Sequence, residues 1–303
     1  MEEKELPLRT FLQTVQNLYQ MEIVVKDFVD FLGSHPELKK ELAPFLVHKN
    51  RYCMEMKHER DMLEVCYAST LRLADVCAKR KTPFYGVCPF GFIEYTLPVL
   101  CDGIAVGAIC CGPFLGEDKQ ADWRLKRNAA RYDLPFDELR AERDGHALKD
   151  MPPPEELQGL LGLAADFISR TIFDGRTKQQ TLRNRQAAEL ISRKSYIILN
   201  IAEYIRQYYP QNISLQTLCE HCRCSKSYIS HEFKKEMGYS VKAYLNKVRL
   251  TASKELLADT TLSITEIARA VGYDNPDYFG ILFKEAYRMS PVAFRKSFAE
   301  NLG

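Results

Sequence analysis

Long apolar runs are missing from this sequence of 303 residues, although 46% of its residues are hydrophobic. A segment that crosses a bilayer needs roughly 20 consecutive apolar residues, and no stretch approaches that length. The N-terminus, Met-Glu-Glu-Lys-Glu, also lacks the basic start and apolar core of a secretory signal. These absences exclude an integral membrane protein and make a cytoplasmic location the expectation.

Signatures of catalysis are missing as well. The sequence contains no phosphate-binding loop, no paired metal ligands and no evident nucleophile with its base. We therefore expect a protein that is not an enzyme and has no cofactor. Ten cysteines predict reduced thiols rather than a disulfide framework, because a chain long enough for about two globular domains needs no covalent staples.

Net charge is also small, at +2, but the charges are unevenly distributed. From residue 190 onwards the chain has 16 Lys and Arg against 11 Asp and Glu, whereas the first 189 residues have 26 against 29. The basic surplus therefore lies in the last third of the chain. A surplus of this size is small beside the phosphate contacts that drive DNA binding, so the placement of each charge must matter more than the total.

An internal repeat occupies that last third. The segment FKKEMGYSVKAY, which begins at Phe233, is echoed 50 positions later by FKEAYRMSPVAF, which begins at Phe283. Each copy predicts a helix, a tight turn and a second helix. Ser214 and Ser225 are suited to cap the two helices of the first copy, and Ser263 opens the second copy. Two helices across a short turn form a helix-turn-helix unit, whose second helix enters the major groove of DNA.

This tandem arrangement resembles the AraC/XylS family of transcription regulators over residues 191–298. The resemblance rests on two helix-turn-helix units, on the long helix that joins them at about 240–258, and on motifs in the family's order. These motifs are Ile267-Ala268, Val271-Gly272-Tyr273, Tyr278-Phe279, Phe283-Lys284, Ser290-Pro291 and Phe294-Arg295. The resemblance implies an all-α C-terminal domain at 193–303 that binds double-stranded promoter or operator DNA and has RNA polymerase as a partner.

Two positions depart from the family pattern. Arg288 replaces the usual glycine before Met289-Ser290, which should change a helix end only locally. Ile281 stands where many members have an arginine that faces DNA, which weakens the expectation that the C-terminal unit recognises bases by hydrogen bonds.

Helical spacing selects the side chains that should face DNA. With Ile229 and Phe233 in the core, the opposite face of the first recognition helix carries five candidates. These are Lys226, Ser227, Ser230, His231 and Lys234. The same argument exposes five residues on the second recognition helix, namely Asn275, Asp277, Gly280, Ile281 and Lys284. The family resemblance implies that Arg249, on the joining helix, contacts a phosphate. Asn275 either bonds a base or caps its helix, and the basic residues either contact phosphates or form a solvated face.

The first half predicts an α+β architecture. Helical segments are expected at 6–32 and 36–46, followed by three short strands at 84–88, 92–100 and 104–111. Glycine-containing turns separate the strands. Short antiparallel strands preceded by helices favour a compact sensor-like domain over a nucleotide-binding βαβ unit.

This region resembles the PocR sensory domain, a PAS-like ligand-binding module, over residues 11–115. The resemblance rests on Cys53, Cys66, Tyr85, Cys88, Gly91, Pro98-Val99, Gly103, Gly107 and Gly112, which occur in the family's order. It implies a PAS-like α+β domain at 1–150 and a small organic effector such as a short-chain alcohol or diol. Relatives often have histidine at the position of Pro89, so a Cys-His metal pair is not carried over.

The effector site is expected to include Cys66, Tyr85, Cys88, Glu94 and Tyr95. An alternative to a small-molecule effector is also open. The thiols of the first half could bind a metal or act as a redox sensor, and so control DNA binding by the C-terminal domain. The thiols concerned are Cys53, Cys66, Cys88, Cys110 and Cys111. The histidines at 48, 58 and 146 are expected at the surface. Cys219 and Cys222 fall at core positions of the repeat, which argues against a zinc site there.

Residues 151–192 are predicted to be a helical connector between the two domains. An apolar stripe from Leu157 to Ile172 follows helical spacing. Two interpretations of this stripe remain open. It covers the sheet of the sensor, or it forms the interface of a homodimer, since paired DNA half-sites need paired binding domains.

Overall fold

The computed structural model describes residues 7–58, 62–115, 119–173, 185–259 and 262–300. The chain divides into two compact units, Met1–Leu199 and Asn200–Gly303. Within the described ranges, no helix combines the length and the apolar character that a bilayer crossing requires.

The first unit contains a four-stranded antiparallel sheet with the strand order β1-β4-β3-β2. The strands are β1 (Glu22–Asp27), β2 (Phe84–Val87), β3 (Ile93–Cys101) and β4 (Ile104–Phe114). The three strands predicted from the sequence are thus confirmed, and the unit is α+β.

Strand β1 shows that the predicted helical segment at 6–32 was wrong in its second half. Helix α1 (Pro7–Tyr19) ends before Gln20, whose backbone is left-handed with φ of 52°. The run Ile23-Val24-Val25 then forms the centre of β1, as β-branched residues favour strands. Val24 lies opposite Cys110 of β4. This pairing partner is far along the chain, which is why a local helical pattern was misleading.

Helices cover both faces of the sheet. They are α2 (Phe31–Ser34), α3 (Pro36–Leu42), α4 (Arg51–His58), α5 (Met62–Arg80), α6 (Lys119–Tyr132), α7 (Phe136–His146) and α8 (Pro154–Ile172). Helices α6 and α7 were not predicted. On one face, α1 and α8 pack on the apolar side chains of β1, β3 and β4. On the other face, Leu73 and Cys77 of α5 pack on Ala108 and Cys110.

The apolar stripe of α8 lies in the core of the first unit. Its buried members are Leu157, Leu161, Ala164, Ile168 and Ile172, each at most 1% exposed. They pack in the same cluster as the inward side chains of β3. Of the two interpretations of this stripe, the structure therefore supports the cover over the sheet. Residues 174–184 of the predicted connector lie outside the described residues.

The described part of the second unit is all α. Its helices are α9 (Arg185–Tyr208, which begins in the first unit), α10 (Leu215–Cys222), α11 (Lys226–Met237), α12 (Val241–Asp259), α13 (Ile264–Ala270), α14 (Pro276–Tyr287) and α15 (Pro291–Glu300). Ser214 accepts a hydrogen bond from the Thr217 amide, and Ser225 accepts one from the Tyr228 amide. Ser263 forms a full capping box with Glu266. The predicted caps are confirmed, and α10–α11 and α13–α14 are two helix-turn-helix units joined by α12.

Candidate DNA-binding surface and effector cavity

Helix α11 presents the polar face that helical spacing predicts. Ile229 and Phe233 are fully buried at 0% exposure. The five candidate contact residues of the helix are all exposed, namely Lys226, Ser227, Ser230, His231 and Lys234. The Nδ1 atom of His231 lies 3.1 Å from Oε1 of Glu232, which orients the imidazole. The helix therefore combines a buried apolar side with an exposed side of two lysines, two hydroxyls and one imidazole.

Helix α14 is capped by Asn275. The Oδ1 atom of this residue accepts hydrogen bonds from the amides of Asp277 at 2.8 Å and Tyr278 at 3.2 Å. The side-chain oxygen is thus occupied by two amides of the helix. Of the two interpretations of Asn275, base contact or helix cap, the structure supports the cap. Asp277, Ile281 and Lys284 are exposed, as predicted from spacing. Tyr278 is also 40% exposed, a feature that the sequence analysis missed because it treated this tyrosine only as a family motif.

Arg249 of α12 is engaged inside its own unit. Its Nε donates to the Tyr209 carbonyl and its Nη2 to the Gln211 carbonyl, each at 2.8 Å. Its Cζ lies 5.2 Å from the ring centroid of Tyr273. The guanidinium therefore ties α12 to the segment that follows α9 and to the end of the first helix of the second repeat. Two of the five N–H donors of Arg249 thus bind backbone carbonyls, which supports a structural role, and the phosphate contact stays a prediction.

Arg288 adopts the backbone conformation that usually calls for glycine. It ends α14 with φ of 61°, and its amide donates to the Lys284 carbonyl at 2.9 Å. Gly238 occupies the equivalent end of α11 with φ of 75° and an amide bond to the Lys234 carbonyl. The two helix ends have the same geometry, which confirms that this departure acts only locally.

A cavity of about 530 Å³ lies in the first unit, where β2 and β3 meet α4, α5 and α6. Four of the five predicted effector residues line it, namely Cys66, Tyr85, Cys88 and Glu94. Its walls mix apolar groups such as Leu73 and Val76 with polar ones such as Thr96. Such a mixture is typical of sites for small organic ligands.

Tyr95, the fifth predicted residue, is absent from the lining. It is 2% exposed and belongs to the core cluster on the opposite face of the sheet. Neighbouring residues of a strand point to opposite faces, so Glu94 and Tyr95 are separated by the backbone itself. The ring of Tyr95 contacts the ring of Tyr85 with centroids 5.3 Å apart.

His48 is the cavity residue that the sequence analysis placed wrongly at the surface. Its side chain is 12% exposed and bridges two carboxylates. Nδ1 lies 3.3 Å from Oε2 of Glu22, and Nε2 lies 3.2 Å from Oε1 of Glu94. Burial alone would lower the pKa of His48, but the two glutamates raise it above its usual value. Burial likewise opposes ionisation of Glu94, but His48 and the nearby Lys26 and Lys57 hold the pKa of Glu94 below its usual value.

Two of the three thiols that line the cavity, Cys53 and Cys88, are poor candidates for redox or metal chemistry, and so is the core thiol of Cys110. All ten cysteines are thiols. Burial raises the pKa of Cys53 and of Cys88, and it raises the pKa of Cys110 to about 12. Because the thiolate is the reactive and metal-binding form, such thiols are inert at neutral pH. Among the described residues, no group of three or more His, Cys, Asp and Glu side chains could hold a metal ion.

In the second unit, Cys222 is also a core residue. It is 5% exposed, and its thiol donates to the Leu218 carbonyl at 2.9 Å.

Comparison with known proteins assigns the first unit to a family. Residues 15–170, just over half of the chain, match the family described as a sensory domain found in PocR. The chain belongs to the PocR sensory-domain family. Residues 218–297 match a helix-turn-helix domain family. This member of the PocR sensory-domain family is therefore an AraC-type DNA-binding transcription regulator that carries a sensory domain.

Two curated proteins and one solved structure are similar to parts of this chain. The chain is 23% identical to the regulatory protein PocR of Salmonella typhimurium over 252 residues, which cover 78% of this chain and 80% of that protein. It is 39% identical to the HTH-type transcriptional regulator YdiP of Escherichia coli over 106 residues, which cover 35% of each chain. The C-terminal domain of AraT, a response regulator from Geobacillus stearothermophilus, is 36% identical over 33% of this chain and 84% of that chain, with a TM-score of 0.33.

The PocR match extends well beyond the predicted resemblance at 11–115. It includes α6 and α7 and nearly all of α8, up to residue 170. These helices belong to the sensory domain because α8 completes the core under the sheet and Gln120 and Arg124 of α6 line the cavity.

Proposed function

We propose that a small organic effector binds in the cavity of the first unit and thereby changes DNA binding by the second. The observation that carries this proposal is the cavity itself, which lies in a sensory domain of a chain that also has a DNA-binding domain. The proposal includes the PAS-like topology that the PocR resemblance implies. The short antiparallel sheet with helices over its cavity face supports that topology.

In this proposal the effector contacts Cys66, Cys88, Glu94 and the strand backbone at Tyr85. The Tyr85 ring lies on the same face of the sheet as its strand partner Tyr95. Cys88 is oriented by the Phe92 amide, which donates to its sulfur at 3.4 Å. His48 holds Glu94 in one position, so the carboxylate is preorganised to bond a ligand. Preorganised polar groups in a mainly apolar site give specificity at low entropic cost.

On DNA, α11 lies in the major groove and provides the main base contacts. Because Glu232 holds Nδ1 of His231, the Nε2 atom is the one that meets a base edge. Lys226 and Lys234 contact phosphates, and the hydroxyls of Ser227 and Ser230 complete the polar face.

Helix α14 recognises its half-site by shape and apolar contact. Ile281 is 57% exposed and Tyr278 is 40% exposed one turn earlier, so together they fit against thymine methyl groups. Lys284 contacts a phosphate, Asn275 keeps its capping role, and Asp277 lies near the groove at the start of the helix. Arg249 supports this unit from inside.

The regulatory step is a population shift. Effector binding favours one arrangement of the regulator over another and so changes which pairs of half-sites it engages. A homodimer and contact with RNA polymerase, both in the cytoplasm, belong to this proposal. In this proposal the sensory domain binds its ligand without reaction, and burial disfavours the thiolate forms of Cys53 and Cys88 by raising the pKa of each. The same shift argues against the redox alternative.

The test is selection of DNA fragments by the full-length protein, followed by titration at several salt concentrations with and without small alcohols, diols and organic acids. We expect a recovered motif that binds at least about a thousandfold more tightly than random DNA, with an affinity that changes when an effector is added. Sequence-blind binding with a steep salt dependence would contradict the DNA-binding part. A motif that binds equally with every compound would contradict the effector part.

A further inference from the structure

The effector cavity is lined by more positive than negative side chains. Among the described lining residues, Glu94 is the one carboxylate. Five permanently basic residues accompany it, namely Lys26, Lys57, Arg72, Arg80 and Arg124. A cavity with low-dielectric walls concentrates the potential of such a set and attracts ions of the opposite sign.

The single carboxylate of the lining already has a counter-charge. His48 lies between Glu94 and Glu22 at 3.2 and 3.3 Å, with a pKa raised by both. The Lys49 amide donates to the other oxygen of Glu22 at 3.1 Å. Both carboxylates are therefore engaged by His48, and Glu22 also by a backbone donor. The lining thus sets one engaged carboxylate against five basic side chains.

Lys26 is the clearest of these cations. It lies on β1, opposite Ala108 of β4, and its side chain belongs to the cavity face of the sheet. The residue is 8% exposed, yet across the described ranges it makes no hydrogen bond and no ion pair within 4 Å. Its positive charge interacts with Glu94 and His48 and acts to lower the pKa of both. The charge of this largely buried residue is available at the cavity, so the position is suited to a ligand of opposite charge.

Arginines line the cavity nearer to solvent. Arg80 stacks on the ring of Phe84, with Cζ 4.9 Å from the ring centroid. Arg124 donates to the Val87 carbonyl. These contacts fix two guanidinium groups beside the cavity, while Arg72 is exposed on α5. A fixed guanidinium binds carboxylate or phosphate with little loss of side-chain entropy.

We propose that the effector is an anion, a small carboxylate or phosphate monoester, whose charged group binds at Lys26. This inference rests on the proposed effector function and specifies the ligand class. It departs from the neutral alcohol or diol that the family resemblance implies. The polar groups around Glu94 and Cys88 then contact the uncharged part of the same molecule, such as a hydroxyl.

Matched pairs of probes separate charge from shape. Lactate and 1,2-propanediol share a carbon skeleton and differ by the carboxylate, as glycerol 3-phosphate and glycerol differ by the phosphate. Titration calorimetry of the full-length protein should show that at least one anion binds at least about tenfold more tightly than its neutral partner, the effect of one charge-assisted hydrogen bond. The pair that shows the difference identifies carboxylate or phosphate as the charged group.

Lys26→Met removes the charge and keeps an unbranched apolar stem. We expect it to weaken the preferred anion about tenfold or more and to leave the neutral partner within about twofold. Lys79→Met is the matched control, because Lys79 is exposed on α5 and does not line the cavity, so both affinities should stay unchanged. If Lys26→Met fails to fold, Arg72→Gln takes its place, since Arg72 is exposed and its loss leaves the core intact.

Tighter binding of the neutral partners would overturn the anion inference and leave the effector proposal standing. So would equal loss of anion affinity in Lys26→Met and Lys79→Met, and so would an absence of binding by both anions at millimolar concentration. A different result would contradict the effector proposal itself, namely DNA binding that no added compound changes.

Discussion

Arg249→Met tests whether this arginine holds the second unit together. The change keeps the aliphatic stem and removes the guanidinium, which donates to the carbonyls of Tyr209 and Gln211 and lies over the ring of Tyr273. Each hydrogen bond of this half-exposed side chain is worth about 1 kcal/mol, and the ring contact adds about 0.5–1 kcal/mol. The expected loss in the free energy of unfolding is about 2–3 kcal/mol.

For a unit of roughly 100 residues, that loss should lower the thermal midpoint by about 10–20 °C. The assay is thermal and urea unfolding of the full-length protein followed by helical circular dichroism. Lys242→Met is the matched control, because Lys242 is an exposed lysine on the same helix. We expect its midpoint to stay within about 2 °C of the parent, as is usual for surface substitutions.

DNA titration of the same variants distinguishes the structural role from a phosphate contact. A folded Arg249→Met protein with an unchanged midpoint, weaker DNA binding and a shallower salt dependence would refute the structural argument. That result would support the phosphate contact predicted from the sequence, since each lost phosphate contact reduces the salt slope by about one.

Three further predictions concern single residues. His231→Ala should weaken binding to the selected DNA site about fivefold and relax base preference, because one base-edge donor is lost, as measured by competition titration with random DNA. Arg288→Gly should raise the stability of the second unit by about 0.5–1 kcal/mol in urea unfolding, because φ of 61° strains any residue with a Cβ. The stability that His48 adds to the first unit should be complete below pH 6.5, its ordinary pKa, and should be lost as pH rises through its raised pKa. His48→Gln should remove this part of the pH dependence in unfolding experiments between about pH 6 and 9.

Each of these predictions has a control or a contrary outcome. Unchanged affinity and base preference in His231→Ala would remove this residue from the DNA contacts. Gly238→Ala should destabilise its helix end by about as much as Arg288→Gly stabilises the other, and two changes of the same sign would contradict the strain argument. His146→Gln, an exposed histidine on α7, should leave the pH dependence of stability intact. A parent and a His48→Gln protein with identical pH profiles would show that the bridge to Glu94 adds nothing.

Much of the second unit was predictable from the sequence because its signals are local. Four helix starts are marked by a residue that bonds an amide two or three positions later, namely Ser214, Ser225, Ser263 and Asn275. Helical spacing alone separated the buried Ile229 and Phe233 from the exposed polar face of α11. The repeat then supplied the order of the units without any knowledge of the tertiary contacts.

The alternation of side chains along a strand also separates two of the predicted effector residues. Glu94 and Tyr95 are neighbours in β3, and neighbours in a strand point to opposite faces. One of the two had to leave the predicted effector site, and the structure shows that Tyr95 packs in the core.

Other features depended on contacts between distant parts of the chain. His48 meets Glu94 across 46 positions of sequence, and nothing near either residue marks the pair. Lys26 lines the cavity only because β1 pairs with β4, and Arg249 binds carbonyls about 40 positions away. The sequence by itself determined the two helix-turn-helix units with four of their caps, and two of the strand turns of the first unit, since short-range hydrogen bonds and side-chain periodicity act within a few residues. Only the tertiary structure decided which charges are buried together, because burial and pairing arise when the sheet and its covering helices close around them.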